Sequence, residues 1–209
     1  MSRRHARSAL VLVAILGACG RGSEPVPQPG QNRGITPDLR GRRVIVLPVQ
    51  IVAGVEGDPS AELAFALTGR SDEVDWVLEP EILEILERSP AMQTSTRGLP
   101  VSLFLQAEVD RVGDPLYGQL RRMSALVNAE AVLLPIRASF EANAQIEGST
   151  PRVRLVATLI EPRDGRVMWY GVEEGDDFPR GDPRGLASAA ERMARTILWY
   201  AEQQQALPR

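Results

Sequence analysis

The 209-residue chain is poor in the side chains that carry most covalent and acid–base chemistry. It has one cysteine, Cys19, one histidine, His5, and no lysine, so all 24 of its basic residues are arginine. Both Cys19 and His5 fall in the first nineteen residues, and the fate of that stretch decides what chemistry remains. Ser2-Arg3-Arg4-His5-Ala6-Arg7 is a short basic segment, and Ala9 to Leu16 is an unbroken apolar run. Gly17 and Ala18 then place two small residues before the cysteine. A basic n-region, an apolar h-region and a small-residue cleavage site together read as a secretory signal. The apolar run is about half of the roughly 20 residues that a membrane-spanning helix needs.

Leu16-Gly17-Ala18-Cys19 resembles the lipobox of bacterial lipoproteins. The resemblance implies that Leu16 takes the apolar position, that Gly17 and Ala18 take the small ones, and that Cys19 is diacylated and becomes the first residue after cleavage. The alternative is an ordinary signal peptide with a chance cysteine near its cut. Each buried methylene of an acyl chain of the palmitate kind contributes ~0.8 kcal/mol, so two or three chains anchor stably. Gly20 rather than an aspartate follows the cysteine. By resemblance to lipoprotein sorting in diderm bacteria, that implies the periplasmic face of the outer membrane rather than inner-membrane retention.

Cleavage before Cys19 removes His5 and takes Arg3, Arg4 and Arg7, three of the 24 positive charges, so the formal charge moves from −3 to −6. Triads and dyads that need an imidazole base are then excluded. Zinc sites of His and Cys, a Schiff-base or phosphate-loop lysine and a structural disulfide are excluded too. What survives is carboxylate chemistry: a glycosidase pair, or an oxygen-ligated calcium or magnesium site. The expectation is no enzyme activity, no cofactor and no metal. A net acidic balance also argues against nucleic acid as a partner.

Three regions follow: 1–18 as a lipoprotein signal peptide, 19–41 as the lipidated cysteine with a flexible tether, and 42–209 as one periplasmic domain. The tether is read from Gly20 to Asn32, rich in Pro, Gly and Gln with almost nothing apolar, a composition that cannot offset its ordering entropy. Val44-Ile45-Val46-Leu47-Pro48-Val49 suits a strand buried on both faces. Asp58-Pro59, Asp114-Pro115 and Asp182-Pro183 each read as a helix start, with an acid at the cap and proline at the first helical position. Glu79-Pro80-Glu81 opens another helix with acids where the macrodipole favours them. Leu116, Leu120, Met123 and Val127 form a helical stripe that Asn128 stops, and Ala131-Val132-Leu133-Leu134 begins a second buried strand running toward Phe140. Val74 to Leu78 reads as a short strand. Val153 to Leu159 alternates at strand period, Pro162-Arg163-Asp164-Gly165 makes a turn, and Val167 to Val172 returns. Leu186, Ala190, Met193, Ile197 and Tyr200 form the stripe of the last helix, with Glu191 and Arg195 an expected i,i+4 pair. The expected fold is α/β: a single domain with a mixed sheet of about five strands, helices packed on it, a C-terminal β-hairpin and a long terminal helix.

This order resembles the small α/β domain shared by the TolB amino-terminal domain, the curli-secretion lipoprotein CsgG and the penicillin-binding-protein activator LpoB. The matching pieces are Val44 to Val49, Ala61-Glu62-Leu63-Ala64, Asn128 to Leu134, and Val153 through Trp169 around Asp164-Gly165-Arg166, followed by the terminal helix. Pro135, where that group usually has glycine, and a long stretch after the second helix depart from it. The resemblance implies scaffolding, partner activation or pore building, and no catalytic residue. The expected function is a membrane-anchored, non-catalytic binding, scaffold or assembly module with an envelope protein partner. Its rivals are a carboxylate-based envelope hydrolase and a subunit of an outer-membrane secretion pore. A pore would need long amphipathic β-segments, and the only candidate pair, 152–172, reads as the domain's own hairpin.

Glu173-Glu174-Gly175-Asp176-Asp177 lacks the spaced ligand register of a calcium loop and reads as a solvated loop. Trp169-Tyr170 and Trp199-Tyr200 read as core or rim packing. Arg42-Arg43 and Arg121-Arg122 either steer an acidic partner or simply sit at exposed element ends. Residues 90–113 contain no clear element and include Leu99-Pro100-Val101-Ser102-Leu103-Phe104-Leu105, five large apolar residues in seven. Long irregular loops are often functional, so Leu103 and Phe104 are candidate partner contacts. The competing reading makes 101–105 an edge strand or helical turn that completes the core.

Overall fold

The computed structural model describes residues 31–89, 92, 94–106, 109–143 and 147–199. The β-branched run becomes strand β2 (Arg43–Val46), with Val44 and Val46 facing one side of the sheet and Ile45 and Leu47 the other, all four buried. In chain order the remaining elements are β1 (Gln31–Gly34), β3 (Ile51–Ala53), α1 (Pro59–Arg70), β4 (Asp75–Val77), α2 (Glu79–Glu87), a short 3-10 turn (Ser102–Leu105), α3 (Leu116–Val127), β5 (Ala131–Glu141), β6 (Arg152–Glu161), β7 (Arg166–Glu174) and α4 (Pro183–Ile197). The strands make one seven-stranded sheet ordered β1-β7-β6-β5-β2-β4, with β3 beside β5. β2 is parallel to β4 and β5, β3 is parallel to β5, and the other pairs are antiparallel. The mixed α/β sheet is as expected, with seven strands rather than about five.

The two extra strands carry little pattern. β1 is Gln-Asn-Arg-Gly and joins β7 through its backbone, so no apolar alternation marks it. β3 has three residues and is only half-buried. β1 also corrects the tether boundary. The chain is paired from Gln31 onward, and Leu39 is 2% exposed within the core, so the domain begins well before residue 42.

Both sheet faces are covered. α1 and α4 pack on one with Leu63, Leu67, Leu186, Met193 and Ile197 against Val46, Leu133, Leu155 and Trp169. α2, α3 and the 3-10 turn pack on the other with Ile82, Leu116, Leu120 and Phe104 against Ile45, Val132, Ile160 and Tyr170. Fully burying one such aliphatic or aromatic side chain stabilises by ~1.5–3 kcal/mol. Gly171 is required within this packing, because a Cβ there would lie 2.1 Å from the Trp169 indole.

Local signals explain the ends of the elements. Asp58 caps α1 by accepting from the Ser60 and Ala61 amides, and Asp182 caps α4 through the Arg184 amide. α3 departs from the Asp-Pro reading. Pro115 itself occupies the cap position, and Asp114 Oδ1 reaches inward to accept from the Gly118 amide at 3.0 Å. Asn128 stops α3 in the left-handed conformation at φ 55°, which Asn tolerates better than most residues. Pro135 is accommodated at a register shift in β5 between Pro135 and Arg137, where a missing donor matters least. The β6–β7 turn places Gly165 at φ 74°, and a Cβ there would meet the Val112 carbonyl at 2.8 Å. Glu191 pairs with Arg70 of α1 at 2.6 Å rather than with Arg195, tying two helices together. The pair β6 and β7 lies inside the sheet, flanked by β5 and β1.

Candidate functional site

Cys19, Tyr200 and residues 90, 91, 93, 107 and 108 lie outside the described residues. Phe104 is 1% exposed, stacks on Tyr170 at 6.4 Å between centroids, and lies in the core with Leu99 and Val101. Tyr170 donates its hydroxyl hydrogen to the Phe104 carbonyl at 3.4 Å, and burial pushes that phenol up to about 12. Leu103 is half-buried and packs on the same cluster. The partner-contact reading of Phe104 is therefore corrected, since a side chain buried against the sheet presents no surface. The apolar run is a single helical turn completing the core, and a four-residue turn is too short to display a period in sequence.

Two parallel strands, β2 and β4, direct their carboxyl ends into one crevice between the first turns of α1 and α2. Open α/β sheets bind ligands in this position, and helix N-termini there favour anions. The crevice has a volume of about 260 Å³ and includes Asp58, Ser60, Glu79, Pro80 and Arg97 in its walls. Its polar groups are already engaged with one another. Asp58 Oδ1 accepts from the amides of Ser60 at 2.9 Å and Ala61 at 3.1 Å. Glu79 accepts from Arg97 at both oxygens, Nε to Oε1 at 2.9 Å and Nη2 to Oε2 at 2.5 Å, and from the Thr96 hydroxyl at 2.8 Å. Gln50 ties the same loop down by donating to the Pro48 and Thr96 carbonyls and accepting from the Leu99 amide. The Glu79 carboxylate, aided by Asp58, holds the Arg97 guanidinium even further above its usual range. Nothing in the sequence joins Gln50, Glu79, Thr96 and Arg97; only the fold brings them together.

This geometry bears on the hydrolase alternative. Two carboxylates in one crevice are what a glycosidase needs, provided one of them holds a proton to donate. Glu79 instead accepts a bidentate guanidinium and a hydroxyl, and Asp58 holds two helix amides. Both carboxylates are engaged as hydrogen-bond acceptors within the domain.

The acidic run 173–177 is not a free loop. Glu173 is 8% exposed and accepts from Thr196 of α4 at 2.7 Å, Asp176 pairs with Arg192, and Asp177 accepts from Thr150 at 3.0 Å and pairs with Arg152. Burial pushes the Glu173 carboxyl above its ordinary value, against the Thr196 hydrogen bond and the charges of Arg192 and Arg195. Among the described residues no group of three or more His, Cys, Asp or Glu is placed to hold a metal, and no described helix is long and apolar enough to cross a membrane. Trp169 is buried as expected. Trp199 is 48% exposed and, with Ile35 at 76%, borders a groove of about 310 Å³ between β1 and the end of α4. Arg43 is taken up by Asp75 and Glu81.

No protein-family model and no curated protein matches the sequence. Among solved structures, the chain is similar to the LpoB C-terminal domain from Salmonella enterica, at 16% identity over 64% of this chain and 81% of that one, with a TM-score of 0.41. It is similar to the PelC dodecamer from Paraburkholderia phytofirmans, at 15% identity over 81% and 96%, TM-score 0.39. It is also similar to a lipoprotein from Neisseria meningitidis, at 15% identity over 79% and 98%, TM-score 0.41. LpoB, which the sequence pieces resemble, is thus among the solved structures that this chain is similar to.

Proposed function

We propose that this chain is an acylated envelope lipoprotein whose α/β domain binds a partner and carries out no chemistry. The observation that supports this reading most is the crevice at the carboxyl ends of β2 and β4. Where such a sheet would take a substrate, the charged wall groups of this crevice are paired with one another, Arg97 with Glu79, and Gln50 and Thr96 tie down the loop beside them. After cleavage before Cys19 the remaining chain has no imidazole, thiol or lysine amine to act elsewhere. Acyl chains on Cys19 would anchor it on the periplasmic face of the outer membrane, within range of other envelope proteins.

Replacing Cys19 by alanine in the producing cell tests the reading. The wild-type chain is expected in the membrane pellet, released by detergent and not by high salt, whereas Cys19→Ala is expected in the soluble periplasmic fraction or as uncleaved precursor. Identical fractionation of the two would overturn the anchor.

A further inference from the structure

The arginines of this domain are mostly matched to carboxylates, and a place where they are not stands out. Around the β6–β7 turn, Arg111 takes Asp164 and Arg166 takes Glu161. Arg163, between them in sequence, is left with no ion pair or side-chain hydrogen bond among the described residues, and Arg121 and Arg122 on α3 are in the same condition. Arg163 and Arg121 border one pocket of about 300 Å³, between the last turns of α3 and the turn, together with Ser124, Asn128, Glu130 and Pro162. Ser124 is buried, and its hydroxyl has no hydrogen-bond partner.

We propose that this pocket binds a carboxylate that carries a hydrogen-bond donor beside it, as the C-terminus of a peptide does. Two unpaired guanidinium groups bordering one pocket suit a planar carboxylate, since a guanidinium fork matches its two oxygens. The volume is at the lower end of the ~300–1,000 Å³ of ligand pockets, enough for a terminal residue or two. The rest of the wall selects against a more highly charged anion. Glu130 brings a carboxylate without an ion pair among the described residues, and the C-terminal end of α3 presents the negative pole of its dipole. These acceptors disfavour a phosphate dianion, and they favour an N–H lying next to the bound carboxylate. The site is independent of the anchor at Cys19 and stands whether or not the chain is acylated.

Calorimetric titration of the full chain in detergent decides the matter, with N-acetyl-alanyl-alanine, its C-terminal amide and inorganic phosphate as probes. The free acid is expected to bind, the amide to give no saturable heat, and phosphate to bind more weakly than the acid. Arg121→Gln and Arg163→Gln should each weaken the acid roughly tenfold or more, as loss of a charged hydrogen bond does, and the double variant should abolish binding. Arg88→Gln, removing an exposed guanidinium paired with Glu84 on α2, should change nothing. Absence of binding by the wild-type chain, retention of binding by the double variant, or tighter binding of phosphate or of the amide would each overturn the proposal.

Discussion

The two ends of the parallel strands treat charge in opposite ways. At the carboxyl ends of β2 and β4, Arg97 and Thr96 satisfy Glu79, and the first amides of α1 satisfy Asp58. At the other end, where β5 begins and the β6–β7 turn projects, Arg121, Arg163 and Glu130 border one pocket, and none of the three has an ion pair among the described residues. The sheet is common to both ends, and the helix termini differ only in polarity. The loops therefore decide whether the charges at an end of the sheet find partners within the domain. Here Thr96 and Arg97 supply those partners at the carboxyl end.

The comparison assumes a sheet that holds both ends rigidly, so the largest effect is expected where that support is cut. Phe104→Asp puts a charge into the core against Tyr170 and should cost several kcal/mol, enough to abolish a cooperative thermal transition. Next comes the carboxyl end with its paired charges. Glu79→Ala leaves the buried Thr96 hydroxyl and the Arg97 guanidinium without their acceptor. Unfolding in urea should show a loss of about 1–3 kcal/mol, the cost of a buried donor left unpaired. The exposed half of the Arg97 pair adds little to that.

Glu173 offers a pH test at a third place where charge and burial conflict. Its carboxyl keeps its proton in the folded state to a higher pH than the ordinary 4.5 of the unfolded chain. The unfolded state releases that proton first as pH rises, so the stability contributed below 4.5 is lost as pH passes through the folded value. Glu173→Gln cannot lose a proton there. Its melting temperature relative to wild type should be higher at pH 7 than at pH 4, and an equal difference at both would contradict this reading of Glu173. The smallest effect belongs to the end with the unpaired arginines. Arg121→Gln with Arg163→Gln should leave stability within about 0.5 kcal/mol, since neither side chain makes an ion pair or hydrogen bond among the described residues. A larger loss would mean that these arginines hold the fold, and the contrast between the two ends would fail.

How much of this was readable beforehand follows from the physics of each element. Val44 to Val49, the stripe of α3, the Asp-Pro starts of α1 and α4 and the 152–172 hairpin were legible, because their burial or capping is written at a regular period or a fixed offset. β1 and β3 were not, because short strands held by backbone bonds impose almost no side-chain pattern. Phe104 is ambiguous in sequence, since an apolar cluster of four or five residues looks the same whether it faces the core or a partner. The lock of Gln50, Glu79, Thr96 and Arg97 joins residues far apart in sequence, and the pairing of Arg111 and Arg166 that leaves Arg163 alone depends on the turn geometry. Neither could be found without the fold.

The proposed function requires that the chain be carried to the envelope and fixed there by its one cysteine. Intact mass of the full-length product extracted with detergent from the producing cell's envelope tests this most directly. The expected species begins at Cys19 and carries a diacylglyceryl group on its sulfur, with or without a further acyl chain on the new amino terminus. A chain that starts at Met1, or one cut elsewhere that bears no lipid on Cys19, would contradict it.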